Sequence, residues 1–262
     1  MSGTGAESDR IALKEKILFR IKNAVRSALI SRADIQATLS SGLTIYLQSY
    51  ADWIIYNEIF ADGEYRGAVE LALSNLEQGR RPVFVDLGAN VGFFTFYLID
   101  ALRRRHVDRF KVKSVEASPS VFRKLQSRVN PQLQPGEDVQ LYNGLVGCLS
   151  GTGTLFEIGY HGMASTVPRR LSRATVVPYL DLEHVCADAE AIDLLKCDIE
   201  GAEEQFLTNW KPVMDKTKVA VFEFHPAKCD TERCKAMLIE SGLRHGRALR
   251  EADGASVELF WR

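Results

Sequence analysis

The stretch Val83-Phe84-Val85-Asp86-Leu87-Gly88-Ala89-Asn90-Val91-Gly92 decides the fold of this chain. Three apolar residues lead into an acid, and Gly88, Asn90 and Gly92 then open a helical pattern with aromatic residues at Phe93, Phe94 and Phe96. A short apolar run that ends in glycines and turns directly into a helix reads as a buried strand of a parallel sheet. Downstream, strand-like runs recur at 111–116, 138–142, 193–199 and 218–224, separated by helical stretches at 92–104, 119–129, 200–209 and 230–241. Such alternation predicts an α/β fold: parallel strands, right-handed crossovers and a doubly wound sheet. Two further runs, 243–249 and 256–261, join through Asp253-Gly254 and predict a terminal hairpin that adds an antiparallel strand. Residues 145–180 lack a helical pattern, and Gly147, Gly151 and Gly153 suggest a hairpin and a long loop.

In a doubly wound sheet, ligands bind beyond the carboxyl ends of the strands. The spacing at 86–92 narrows what that loop accepts. Nicotinamide and flavin sites require Gly-x-Gly-x-x-Gly, and here Asp-x-Gly-x-x-x-Gly lacks the glycine that admits a pyrophosphate. No Gly-Lys-Ser/Thr follows, which excludes a nucleoside triphosphate loop. The second strand ends at Val115-Glu116, where an acid is placed to accept both hydroxyls of a ribose. Ser118 and Pro119 follow as N-cap and first residue of the next helix.

The 262 residues suffice for one large α/β domain and an appendage. Net charge is −1, which argues against a chain devoted to coating nucleic acid. No apolar run approaches the roughly 18–20 residues that span a bilayer, and Met1 to Arg10 lacks the apolar centre of a signal peptide. Five cysteines without Cys-x-x-Cys spacing read as reduced thiols of a cytoplasmic protein; Cys229 and Cys234 would be at most half of a metal site. Residues 10–31 form a basic amphipathic pattern. It suits a helix packed on the main domain or on a second copy, as in a homodimer, better than one lying on a membrane. A short strand at 43–47 and helices at Asp52–Phe60 and Tyr65–Gln78 complete an extension over residues 1–80, with the main domain at 81–262.

Several blocks together resemble the FkbM family of methyltransferases: Val85 to Thr95, Val115-Glu116-Ala117-Ser118-Pro119, Ile192 to Glu203 with Lys196-Cys197-Asp198-Ile199-Glu200-Gly201-Ala202-Glu203, and Phe222-Glu223-Phe224-His225. Upstream, Asp52-Trp53, Glu58-Ile59-Phe60 and Gly63-Glu64-Tyr65 fit the same pattern. The resemblance spans about residues 50 to 230; Cys197 replaces a commonly aliphatic residue, and residues 1–45 carry no motif of the family. It implies a class I (Rossmann-like) fold with seven mostly parallel strands, S-adenosylmethionine as methyl donor, and O-methylation of a sugar, polysaccharide or natural product. The cofactor-binding residues it implies are Tyr65, Asp86, Gly88, Asn90, Gly92, Thr95, Glu116, Ala117, Ser118 and Asp198.

If the strands ending at 199 and 224 are neighbours, strand alternation aims Asp198, Glu200, Glu223 and His225 into one place above the sheet. His225 is then the first candidate for the base that takes a hydroxyl proton, with Glu200, Asp198 or Glu223 assisting. Asp198, Glu200 and Glu223 also suggest a Mg²⁺ site; the competing reading is a carboxylate network satisfied by Lys196 and backbone amides. His161, in the long loop, is a reserve candidate. Two other functions remain in view: methylation of protein or nucleic acid, against which stand the neutral charge and the lack of an Asn/Asp-Pro-Pro-Tyr/Phe motif, and a non-catalytic binding protein, whose mark would be a degraded loop.

Overall fold

In a computed structural model, residues 35–157, 173–252 and 254–262 are described, with most positions from 22 to 33. Seven strands form the central sheet: β3 (Val83–Leu87), β4 (Phe110–Glu116), β5 (Glu137–Asn143), β8 (Leu194–Cys197), β9 (Val219–Phe224), β10 (His245–Ala252) and β11 (Ala255–Trp261). Their order is β10-β11-β9-β8-β3-β4-β5, and the five from β5 to β9 are parallel. The terminal hairpin does add an antiparallel strand, but not at the edge: β11 inserts between β9 and β10. Every residue of β3 is buried, as an apolar strand covered on both faces must be.

Helices α1 (Tyr50–Tyr56), α2 (Arg66–Ser74), α3 (Phe93–Arg104), α4 (Pro119–Val129), α5 (Leu182–Val185), α6 (Glu203–Asn209), α7 (Lys211–Asp215) and α8 (Thr231–Glu240) accompany the strands. Ser118 caps α4 by accepting the Val121 N–H, with Pro119 in its first turn. One face of the sheet packs Phe84, Val112 and Val221 against Phe93, Phe94 and Phe96 of α3; the other packs Val85, Leu195 and Phe222 against Phe206, Trp210 and Met214. Chain order runs from β3 outward to β5 and then back to β8, so the strand order reverses between β3 and β8. In doubly wound sheets such a reversal is where a crevice opens at the carboxyl ends of the two strands.

Upstream, β1 (Ile35–Thr38) and β2 (Thr44–Leu47) pair antiparallel. Leu43, Ile45, Leu47, Ile59, Tyr65 and Ala68 join the core around α3, so the upstream residues share the core of the sheet domain. Buried Arg128 of α4 donates to Asp52 at 2.9 Å and to Gln48 at 3.0 Å, fastening the two parts together. Most of the amphipathic segment 10–31 lies outside the described residues; of its described positions, Arg26 donates to the Tyr50 hydroxyl at 2.9 Å, while Val25 and Leu29 are exposed. No helix among the described residues is long and apolar enough to cross a membrane, and all five cysteines are free thiols.

The segment without helical pattern contains β6 (Thr152–Glu157) and β7 (Arg173–Pro178), paired antiparallel; His161 lies outside the described residues. Two elements depart from the sequence reading in ways that bear on the crevice. The strand expected through 199 ends at Cys197, and the helix expected from 200 starts at Glu203. Between them Glu200 (φ +57°) and Gly201 (φ +100°) both take left-handed backbone and reverse the chain.

Candidate active site

Gly88 starts the loop at the end of β3 with φ +80°. A Cβ built there would stand 1.7 Å from the carbonyl oxygen of Asp198, so only glycine lets β3 and the end of β8 approach this closely. The Gly88 and Ala89 amides both donate to the carbonyl of Val115, at 3.0 and 2.8 Å, which pins the loop to β4. Glu116 closes the same arrangement from the other side. Its Oε2 accepts the Asn90 N–H at 2.9 Å and its Oε1 the Ser118 N–H at 2.7 Å. Burial pushes the Glu116 carboxyl up to about 7 despite those two amides. Asn143 at the end of β5 donates from Nδ2 to the carbonyls of Glu116 and Ala117, holding the strand end in place.

Asp86 and Thr95 lie beneath the loop, wholly buried. Thr95 donates from Oγ1 to Asp86 Oδ2 at 2.9 Å and is 2.9 Å from the Ser114 hydroxyl. Lys196, on the neighbouring β8, is the hub of the crevice floor. Its Nζ donates to the Gly88 carbonyl at 3.1 Å and stands 3.4 Å from Asp86 Oδ1 and 3.5 Å from Asp198 Oδ2. The same nitrogen lies 5.7 Å from the ring centroids of both Tyr65 and Phe94. Burial works against a charged lysine, but Asp86, Asp198 and Glu223 outweigh it and hold Lys196 above its ordinary range. Tyr65 is buried edge-on to Phe94, and burial followed by the charge of Asp198 pushes its hydroxyl well above 10.

Beyond β8 and β9 the acids are less enclosed. Glu223 Oε1 is 3.2 Å from Arg250 Nη2, and Arg250 Nε donates to Glu64 at 2.8 Å. Burial, with the charges of Asp198 and Glu64, pushes Glu223 up to about 8. Glu200 pairs with Lys228 Nζ at 2.9 Å, and its Oε2 is 3.7 Å from His225 Nε2. His225 Nδ1 in turn meets Glu203 Oε1 at 3.1 Å. Burial lowers the imidazole, but Glu203, Glu200 and Asp198 outweigh it, so His225 titrates above 6.5.

The family model of the methyltransferase FkbM domain fits residues 86–251. This chain belongs to the FkbM methyltransferase family. Comparison with curated proteins gives no sequence match. Among solved structures, an FkbM methyltransferase from Methylobacillus flagellatus KT aligns at TM-score 0.52 and 13% identity, covering 92% of this chain and 59% of that one. The chain thus spans little more than half the length of that relative. The magnesium protoporphyrin IX methyltransferase of Synechocystis PCC 6803, solved with bound S-adenosylmethionine, aligns at TM-score 0.46 and 11% identity over 81% of this chain and 84% of that one. The fold is that of the class I methyltransferases, with the antiparallel strand in its sixth position counted from β5.

Of the residues singled out in this FkbM-family chain, the loop positions Gly88, Asn90 and Gly92 and the strand-end trio Glu116, Ala117 and Ser118 come together at the β3 and β4 ends. Asp86, Thr95 and Tyr65 are buried beneath them, so they support the loop and Lys196 rather than line the crevice. Of the two pairs expected to alternate along strand ends, Glu223 and His225 lie at the end of β9, but Asp198 and Glu200 do not follow strand geometry. Asp198 and Glu200 lie past the end of β8, and the left-handed Glu200 turns away from strand geometry. The expected Mg²⁺ site is not formed. Asp198 faces Lys196, Glu200 faces Lys228, and Glu223 faces Arg250, and no three acidic, His or Cys side chains among the described residues converge as a cation requires. The competing expectation, a carboxylate network satisfied by Lys196 and backbone amides, holds at Asp198, which faces Lys196, whereas Glu200 and Glu223 are met by Lys228 and Arg250. Sequence reasoning missed Arg250, Asn143 and Glu203 as parts of the site. Glu203 belongs to the Lys196–Glu203 block, whereas Arg250 lies on the edge strand β10 with no local signal.

Proposed function

We propose that this chain is an S-adenosylmethionine-dependent O-methyltransferase that methylates a hydroxyl of a sugar, polysaccharide or natural product. The observation that carries the reading is Glu116, an acid buried at a strand end beside a turn where only glycine fits. The residues suit that cofactor. A carboxylate has about four acceptor positions, and two of those on Glu116 are taken by amides, leaving two for a pair of ribose hydroxyls. The N-terminal end of α3, with its helix dipole, favours a carboxylate. The surrounding acids, two of them held unusually far up in pKa, are relieved by a ligand of net positive charge.

When bound, S-adenosylmethionine supplies an electrophilic methyl group that is transferred by in-line displacement. The protein's own work is to bind the acceptor, hold its oxygen in line and remove its proton. His225, at the mouth of β9 among Glu200, Glu203 and Asp198, is the base. A hydroxyl is a poor nucleophile until its proton is taken, so a base at this place suits an oxygen acceptor. Residues 81–262 are the catalytic domain in this reading, and residues 1–80 an extension of it.

Calorimetry with S-adenosylmethionine tests the site, and release of S-adenosylhomocysteine over a panel of hydroxylated acceptors tests the reaction. Glu116→Ala is expected to weaken cofactor binding by at least about 10-fold, since hydrogen bonds to a charged group are worth about 1.5–3 kcal/mol. Absence of binding by the unaltered chain, or equal affinity in Glu116→Ala, overturns the reading.

A further inference from the structure

Glu203, the first residue of α6, is wholly buried, and burying a carboxyl is costly unless its oxygens are met. Its Oε1 accepts the Gly201 N–H at 2.9 Å and stands 3.1 Å from His225 Nδ1, while no nitrogen or oxygen donor meets Oε2 and the weakly donating Cys229 thiol is the other group against the carboxyl. A half-satisfied buried acid lowers stability, so stability alone does not account for it. What it does achieve is geometric. One oxygen ties the left-handed turn at Glu200-Gly201 to the imidazole at the end of β9.

We propose that Glu203 is the positioning residue of the methyl transfer, holding His225 with its proton on Nδ1 so that Nε2 is free to take the proton of the acceptor hydroxyl. This rests on the reading of His225 as the base. The Gly201 N–H can only donate, so Oε1 is an acceptor, and Nδ1 facing the same oxygen presents its hydrogen. Nε2 then carries the lone pair, on the side of Glu200. As the acceptor O–H bond breaks, the proton passes to Nε2, the electron pair stays on oxygen, and the imidazolium later releases the proton to water.

Charged groups meet the ring from each element around it: Glu203 from α6, Glu200 and Asp198 from the turn after β8, Glu223 from β9, and Lys228, paired with Glu200, from the turn beyond. Glu203 is the acid that hydrogen-bonds the ring, and it outweighs the others in raising it.

Nitrogen-15 NMR of the full chain, combined with kinetics, tests the proposal. The neutral ring of His225 is expected as the Nδ1–H tautomer. Glu203→Gln is expected to lower kcat about 10- to 100-fold with acceptor KM within about twofold, and to move the acidic limb of the kcat–pH profile to lower pH. Glu203→Asp, which retains the charge, should restore part of that limb's position. An Nε2–H tautomer in the unaltered chain, or a limb that Glu203→Gln leaves in place, overturns the proposal. If Glu203→Gln does not fold, the tautomer decides by itself. A wild-type rate in His225→Ala overturns the base and the proposal with it, whereas an Nε2–H tautomer beside an inactive His225→Ala overturns the role of Glu203 alone.

Discussion

On the β3–β4 flank of the crevice the acids Asp86 and Glu116 are buried and held by a hydroxyl and by main-chain amides, all from between residues 86 and 118 apart from Lys196. On the β8–β9 flank Asp198, Glu200 and Glu223 are 27%, 44% and 17% exposed and face three different cations, Lys196, Lys228 and Arg250. Main-chain amides do not depend on the side chain their residue carries and occupy fixed places once the turn forms. Side-chain cations on separate segments can be exchanged without disturbing the backbone. The first flank is therefore fixed by backbone, and the second by side-chain pairs that can be exchanged one residue at a time.

Gly88→Ala should break the first flank most severely. The added Cβ meets the Asp198 carbonyl at 1.7 Å and the φ of +80° is strained for alanine. We expect S-adenosylmethionine binding to vanish by calorimetry and stability to fall by roughly 3 kcal/mol or more, a drop of about 10 °C in Tm. Normal binding in this variant would mean that the two flanks are not in contact through Gly88.

His225→Ala acts on the second flank alone. The expected outcome is transfer slowed by on the order of 10²–10⁴ with cofactor affinity unchanged. A parallel loss of affinity would show the flanks to be one unit rather than two.

The smallest effect is electrostatic and spans both flanks. Glu116 and Glu223 are pushed up to about 7 and about 8 from 4.5, burial being the first cause in each. A carboxyl raised in this way contributes fully below its unfolded value of 4.5 and loses that contribution as pH climbs through the folded one. The cofactor-free protein should thus lose stability between about pH 5 and pH 8, by on the order of 3 kcal/mol at most for Glu116 taken alone. Denaturant titrations across that range should show the decline, and Glu116→Gln should flatten it. A variant curve parallel to the parent's would remove Glu116 as its source.

Much of the first flank was legible in the chain itself. The loop from Gly88 to Gly92, Glu116 and the Ser118 cap lie within single strand–helix turns, whose residue spacing carries their geometry. The second flank was legible only in composition. His225 and the acids were recognisable, but alternation along a strand was the wrong geometry, because β8 stops at Cys197 and Glu200 adopts left-handed backbone without being glycine. The Mg²⁺ reading failed for the same reason. Three acids near one another in a motif do not form a donor set when each turns to its own cation.

By itself, the sequence determined the parallel sheet, its antiparallel terminal strand and the place of the glycine loop, since apolar periodicity and turn chemistry act over a few neighbouring residues. Only the tertiary structure decided that β11 enters between β9 and β10, that Lys196 centres the crevice, and that Arg250, Glu64 and Glu203 belong to it. Those pairings join positions far apart in the chain. Burial and Coulombic attraction select them after the sheet has formed, and no local pattern records them.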